Sequence, residues 1–244
     1  KSALVCGLAR AGRRIGPSFH REGARLFYDE VAGRRDKSRH AVEENMDVLR
    51  LLGLPAPTPE FRVRFPAAPE PDAPRPRVAL APFSRWPAKN WPADRFAHAA
   101  AAVRERTGAS FFIVGAASDA AAAAELARAL GPAARNLAGR TTLVELGGLL
   151  GRMDLAIGND SGPIHMAAAL GVPVLAVYGP TDPARTGPYG EGHRVLAADP
   201  AACPCRPCFK ARCRFSRRPP CLEAVRAEAV AEAAAEMLAR PQSG

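Results

Sequence analysis

The sequence predicts an α/β fold in which a parallel sheet is covered by helices on both faces. Three observations predict it. From residue 78 onward, short apolar runs of strand length alternate with Ala-rich stretches of helical length. Gly108, Gly131-Pro132 and Gly171 close the helical stretches. The loops that follow three of the strand-like runs are polar, as they are at the carboxyl edge of such sheets, where ligands bind.

In order, residues 40–52 read as a helix with Val42, Met46 and Leu49 on one face and Gly53 as its stop. Prolines then recur through 55–77, a pattern that excludes a helix or a central strand and predicts an extended linker. Residues 78–82, 110–115, 155–158 and 174–178 read as strands; 93–107, 118–130, 143–153 and 163–170 read as helices. A last amphipathic helix, 222–238, is expected to pack back across the domain junction. The predicted domains are 1–54, the remnant of a first domain; 55–77, the linker; 78–221, a C-terminal doubly wound domain; and 222–244, a helix and tail. The chain opens on Lys1 inside an apolar stretch, which reads as the interior of a longer protein.

The formal net charge of +10 favours polyanionic partners such as nucleic acid, an anionic membrane or phosphorylated ligands. Aromatic residues make up only 6% of the chain and do not interleave with the basic runs, so no nucleic-acid platform is expected. No apolar run approaches the roughly 20 residues of a membrane span, and no signal peptide follows Lys1. The expected location is cytoplasmic.

Three segments carry chemistry. Gly158 to Met166 places Asp160, Ser161, Gly162 and His165 where a strand ends and a helix begins, with Pro163 suited to the first turn. A helix start at this edge suits a phosphate, and Gly162 would let one approach the backbone. The competing reading makes Asp160 and Ser161 caps and His165 a packed first-turn residue. In Ser84-Arg85-Trp86-Pro87-Ala88-Lys89-Asn90-Trp91-Pro92, Lys89 and Arg85 could neutralise a diphosphate and Ser84 could donate to it, against the alternative of a solvated basic loop. The two tryptophans are expected to brace the loop. Tyr178 to Pro183, with Thr181, points to the same edge.

Together, PFSRWPAKNWP at 82–92, NDSGPIHMAAALGVPV at 159–174 and YGPTDPARTGPYG at 178–190 resemble glycosyltransferase family 9, the ADP-heptose:lipopolysaccharide heptosyltransferases. Arg13-Arg14-Ile15-Gly16 and Arg21-Glu22 resemble the family's middle region. The resemblance implies a GT-B-like arrangement of two Rossmann-like domains, the first only partly present, with the nucleotide sugar held by the C-terminal one. It implies an inverting, metal-independent heptose transfer from ADP-heptose to the inner core of lipopolysaccharide. No cofactor is expected. The catalytic base would be an acidic residue upstream of Lys1, leaving this chain inactive alone. Carried over by motif, Lys89 and Ser84 would bind the donor phosphates, while Asp160, Ser161, Gly162 and His165 would line the diphosphate and sugar pocket; Arg85, where the pattern varies, and Thr181 complete the candidate donor-binding set, and loss of Lys89 is expected hardly to change stability. The implied protein is a monomer in the cytoplasm, acting at the inner membrane surface. Alternatives are a non-catalytic nucleotide-binding module and another nucleotide-sugar enzyme, a different glycosyltransferase or an epimerase.

Cys203, Cys205, Cys208, Cys213 and Cys221 crowd a basic, Pro-rich loop. Reduced structural thiols are one reading. Zinc at Cys203, Cys205, Cys208 and Cys213 is a weaker one, because the paired CxxC spacing is missing, and a stable disulfide ranks last because the expected cytosolic compartment is reducing.

Overall fold

The computed structural model describes residues 2–21, 23–69 and 71–240, so Glu22 and the tail 241–244 named above lie outside the described residues. Contacts divide the chain into two units, Lys1–Phe61 with Ala184–Thr186, and Arg62–Pro183 with Gly187–Gly244. The division falls inside the proline-rich stretch 55–77.

The first unit contains helix α1 (Ser2–Leu8), strands β1 (Ile15–Pro17) and β2 (Glu30–Ala32), and short helices α2 (Ala41–Asn45) and α3 (Asp47–Leu51). β1 and β2 pair in parallel. Arg13 pairs with Glu30 and Arg14 with Asp29 beside them. The single helix expected over 40–52 is two, interrupted at Met46. Its buried positions are also not the expected apolar ones: Glu44 and Asp47 are buried, while Val42, Met46 and Leu49 are half-buried. Burial of these carboxylates is possible because each is paired, Glu44 with Arg185 at 2.8 Å and Asp47 with Arg39 and Arg50.

The second unit is built on β3 (Arg77–Ala81), α4 (Ala93–Thr107), β4 (Ser110–Ile113), α5 (Ala120–Leu130), β5 (Ala134–Asn136), α6 (Leu143–Leu150), β6 (Leu155–Asn159), α7 (Gly162–Ala169), β7 (Val174–Tyr178), β8 (Arg194–Ala197), α9 (Pro220–Glu223) and α10 (Ala227–Ala239), while α8 (Pro183–Thr186), which follows β7 in the chain, falls with the first unit from Ala184 on. The strands form one sheet in the order β5-β4-β3-β6-β7-β8, and every pair is parallel. This is the doubly wound order, in which the direction of winding reverses between β3 and β6.

All residues of β3, β4, β6 and β7 are buried, as strands covered on both faces require. Alternation sorts them: Val78, Leu80, Leu155 and Ile157 pack toward α4, α5 and α10, whereas Ala79, Ala81, Ala156 and Ala176 pack toward α6 and α7. Gly108, at φ 70, ends α4 in the left-handed conformation that a side chain would resist.

Several boundaries differ from the sequence expectation. Residues 117–119 form a 3₁₀ turn ahead of α5, α6 stops at Leu150, and the final helix is split by residues 224–226 into α9 and α10. α10 lies along α4, so its partner is within its own unit rather than across the junction. β5 and β8 went unpredicted because each is short, at the sheet edge and only partly buried. The proline-rich segment does not run free throughout: Phe65 occupies the space a Cβ would take at Gly147 of α6.

Close packing between β3 and β6 leads to a stability prediction. A Cβ on Gly158 would stand 2.5 Å from the Ala81 carbonyl oxygen, so Gly158→Ala should cost about 1–3 kcal/mol in urea unfolding. A Cβ on Gly162 meets nothing within 4 Å, and Gly162→Ala should stay within about 0.5 kcal/mol of the parent.

Candidate functional site

Where the winding reverses, the loops leaving β3 and β6 separate and a cavity of about 900 Å³ opens at the carboxyl edge of the sheet. Ser84, Arg85, Lys89, Asp160, Ser161, Gly162 and His165 all line it. Thr181 does not line it but is tied to it through Asp160.

Asp160 is the hub. Its Oδ2 lies 2.6 Å from Lys89 Nζ and accepts a 2.7 Å hydrogen bond from Thr181 Oγ1. His165 Nε2 lies 3.2 Å from Oδ1, and with Asp160 ionised that nitrogen is the donor. Burial alone would raise the Asp160 pKa. The bonds from His165, Lys89 and Thr181 outweigh it and hold the value at about 2. Burial and the neighbouring Asp160 charge push the Tyr178 phenol far above its ordinary value.

Local structure fixes each partner. Lys89 closes a 3₁₀ turn, Pro87–Lys89, and its ammonium lies 4.8 Å from the centroid of the Trp86 ring. The alternative of a solvated surface charge does not hold for Lys89. Lys89 is largely buried and already ion-paired, so removing it strips one of three donors from a buried carboxylate. Arg85 is exposed on the cavity wall. Ser84 donates its backbone N–H to Asn90 Oδ1 at 2.7 Å, and its hydroxyl lies 3.4 Å from the Trp86 N–H.

The tryptophans divide the work. Trp91 is buried, donates to the Val225 carbonyl and meets Phe96 edge-on at 4.8 Å. It braces, as expected, whereas Trp86 stands in the cavity wall.

Ser161 occupies the N-cap position of α7 with Pro163 in the first turn, yet its side chain caps nothing. Its hydroxyl is buried without a hydrogen-bond partner. The capping reading of Ser161 is therefore corrected: its backbone is extended, as that of an N-cap is, but its hydroxyl bonds none of the helix N–H groups.

Sequence reasoning missed Asn159, which is fully buried: its Oδ1 accepts from the Trp91 N–H at 3.0 Å and its Nδ2 donates to the Pro82 carbonyl at 2.6 Å. It also missed the far wall, Gly115–Ala116 after β4 and Thr141–Leu143 before α6. The T-x-x-E box at Thr142 and Glu145, in which each side chain bonds the other's backbone N–H, was the readable signal there.

The cysteines are free. Burial raises the Cys203 thiol and pushes Cys221 to about 11. Among the described residues no three His, Cys, Asp or Glu side chains are arranged to hold a metal ion, Cys203, Cys205, Cys208 and Cys213 included.

Asp160 gives a signed pH prediction. Its folded pKa is depressed from the ordinary 3.8 to about 2, so its stabilisation is complete above pH 4 and disappears as pH falls through 2. Asp160→Asn should lower unfolding free energy by about 2 kcal/mol at neutral pH, and the two proteins should converge in acid.

Comparisons with known proteins identify the family and the fold. The profile of glycosyltransferase family 9 (heptosyltransferase) matches residues 1–218. The lipopolysaccharide heptosyltransferase 1 of Pseudomonas aeruginosa is 29% identical over 180 residues, 72% of this chain and 49% of that protein. The lipopolysaccharide heptosyltransferase 2 of Escherichia coli is 35% identical over 127 residues, 50% of this chain and 36% of that protein. The chain thus spans half or less of the curated relatives' length. The solved structure of the Escherichia coli ADP-heptose lipopolysaccharide heptosyltransferase II superposes with a TM-score of 0.73 at 26% identity, over 97% of this chain and 73% of that one. A family 9 glycosyl transferase from Veillonella parvula shares the fold, with a TM-score of 0.77 at 24% identity over 97% of this chain and 70% of that one.

Proposed function

The chain belongs to glycosyltransferase family 9, and on that premise we propose that its second unit binds a nucleotide sugar, ADP-heptose, for inverting transfer to the inner core of lipopolysaccharide. The observation that carries this reading is the convergence of Lys89, His165 and Thr181 on Asp160, at the rim of a cavity on the switch-point edge.

In this reading the diphosphate sits against Lys89, the start of α7 and the Ser84 and Ser161 hydroxyls, while the nucleoside lies toward Gly115 and Thr141. An ADP leaving group gathers charge as the glycosidic bond breaks. Lys89, His165 and backbone N–H groups oppose that charge, so the step needs no divalent metal. Asp160 touches no phosphate and serves as the anionic anchor that keeps three donors in place. It is unsuited to deprotonating an acceptor hydroxyl, because a carboxylate held at about 2 binds a proton too weakly near neutrality. The first unit belongs to the acceptor side, and the site of action is the cytoplasmic face of the inner membrane, where a monomer meets its lipid-linked acceptor.

Calorimetry tests the donor assignment. ADP should bind equally well with a chelator present, and Lys89→Ala should weaken binding by about 1.5–3 kcal/mol. Unlike loss of a free cation, the same change should also lower stability. Unaltered ADP affinity in Lys89→Ala, or strict dependence on magnesium, would count against the assignment.

A further inference from the structure

The loop between β8 and α9 has two faces. Cys203 and Cys221 are buried and Cys205, Cys208 and Cys213 are half-buried, so the sulfur side turns inward. The other side is exposed: Phe209, Lys210, Arg212, Arg214, Phe215 and Arg217. No acidic residue occurs between Asp199 and Glu223. Arg218 is engaged by Glu223 and Asp94, whereas Lys210, Arg212, Arg214 and Arg217 have no acidic partner among the described residues. Phe209 and Phe215 are 43% and 62% exposed, and the Arg214 guanidinium rests 4.6 Å from the Phe215 ring centroid.

The loop is held from beneath. The Phe209 N–H donates to the Pro180 carbonyl at 2.9 Å, Arg206 Nε donates to Gly179 at 2.7 Å, and the Ala211 carbonyl accepts from the Ala88 N–H at 3.1 Å. Phe209 is kept at φ 51, a region that bulky residues avoid. A rigidly mounted display of unpaired cations flanking two exposed rings matches an anionic lipid surface, where the cations meet headgroups and the rings enter the interface. A nucleic-acid strand would need rings stacked in sequence along a groove, which this loop does not form.

We propose that residues 209–217 dock the protein on anionic phospholipid membranes, with Phe209 and Phe215 inserted and Lys210, Arg212, Arg214 and Arg217 on the headgroups. The Ala88–Ala211 bond links the loop to the turn that carries Lys89, so docking holds the donor cavity beside the membrane. The proposal deepens the reading of a lipid-linked acceptor, and its test requires neither donor nor transfer.

The test is cosedimentation of the full chain with phosphatidylcholine vesicles and with vesicles containing phosphatidylglycerol. Binding should require the anionic lipid and weaken with salt. Each cation at such a surface strengthens binding about fivefold, so replacing Lys210, Arg212, Arg214 and Arg217 with Gln should reduce partitioning several hundredfold. Phe209→Ser with Phe215→Ser should reduce it further while leaving salt dependence in place. A control replaces the exposed Arg106, Arg128, Arg140 and Arg240 with Gln, removing equal charge elsewhere; it should retain binding within a few fold. Equal loss in the control and loop variants, or tighter binding of the loop to duplex DNA than to vesicles, would overturn the proposal. Circular dichroism and ADP calorimetry on each variant keep the readings separate. ADP binding without vesicle binding overturns this inference alone, and vesicle binding through the loop without ADP binding overturns the donor assignment alone.

Discussion

The buried carboxylate of Asp160 is the constraint on which the site depends. An uncompensated charge at 6% exposure costs several kcal/mol, roughly, in lost hydration. Lys89, His165 and Thr181, each from a different segment, offset that cost by converging on it. The converse follows: the three donors, carried by a 3₁₀ turn, a helix and a loop, are tied to one another by the one anion they share. On the proposed reading, electrostatic preorganisation for an anionic ligand follows from a stability requirement.

Backbone geometry decides where this happens. β3 and β6 are neighbours, yet their outgoing segments diverge to opposite faces of the sheet, so a crevice opens there at the carboxyl edge. Asn159 spans the root of that crevice, joining the end of β6 to Pro82 and Trp91 on the β3 side. Trp91 in turn is pinned to Val225 just before α10. The segment ahead of the last helix thus braces the 84–92 loop, and that helix itself packs on α4.

Much of this was legible in the sequence. Gly158 to Met166 showed a strand, a sharp turn and a helix start, and Pro163 marked the helix phase correctly because its missing N–H and fixed φ suit that position. The clustering of the three loops followed from parallel order alone. Pairings that depend on distant residues were not legible: nothing in Lys89's surroundings announces Asp160, seventy-one positions away, so the ion pair was not expected. Ser161 looked like a cap because its residue type favours capping, and only its unbonded hydroxyl shows otherwise. In the first unit, Glu44 and Asp47 broke the rule that buried helix faces are apolar, since arginine partners from outside the helix remove the penalty. The edge strands β5 and β8 lack the buried alternation that makes a strand visible.

The central claim is that the Asp160-anchored donors form a diphosphate site. A crystal structure of the protein with ADP tests it most directly. The account predicts phosphate oxygens within hydrogen-bond distance of Lys89 Nζ and of the backbone at the start of α7, with the Asp160 to Thr181 bond intact and no metal ion bridging the phosphates. ADP bound away from the β3–β6 crevice, or held there only through a divalent metal with Lys89 still turned wholly to Asp160, would contradict it.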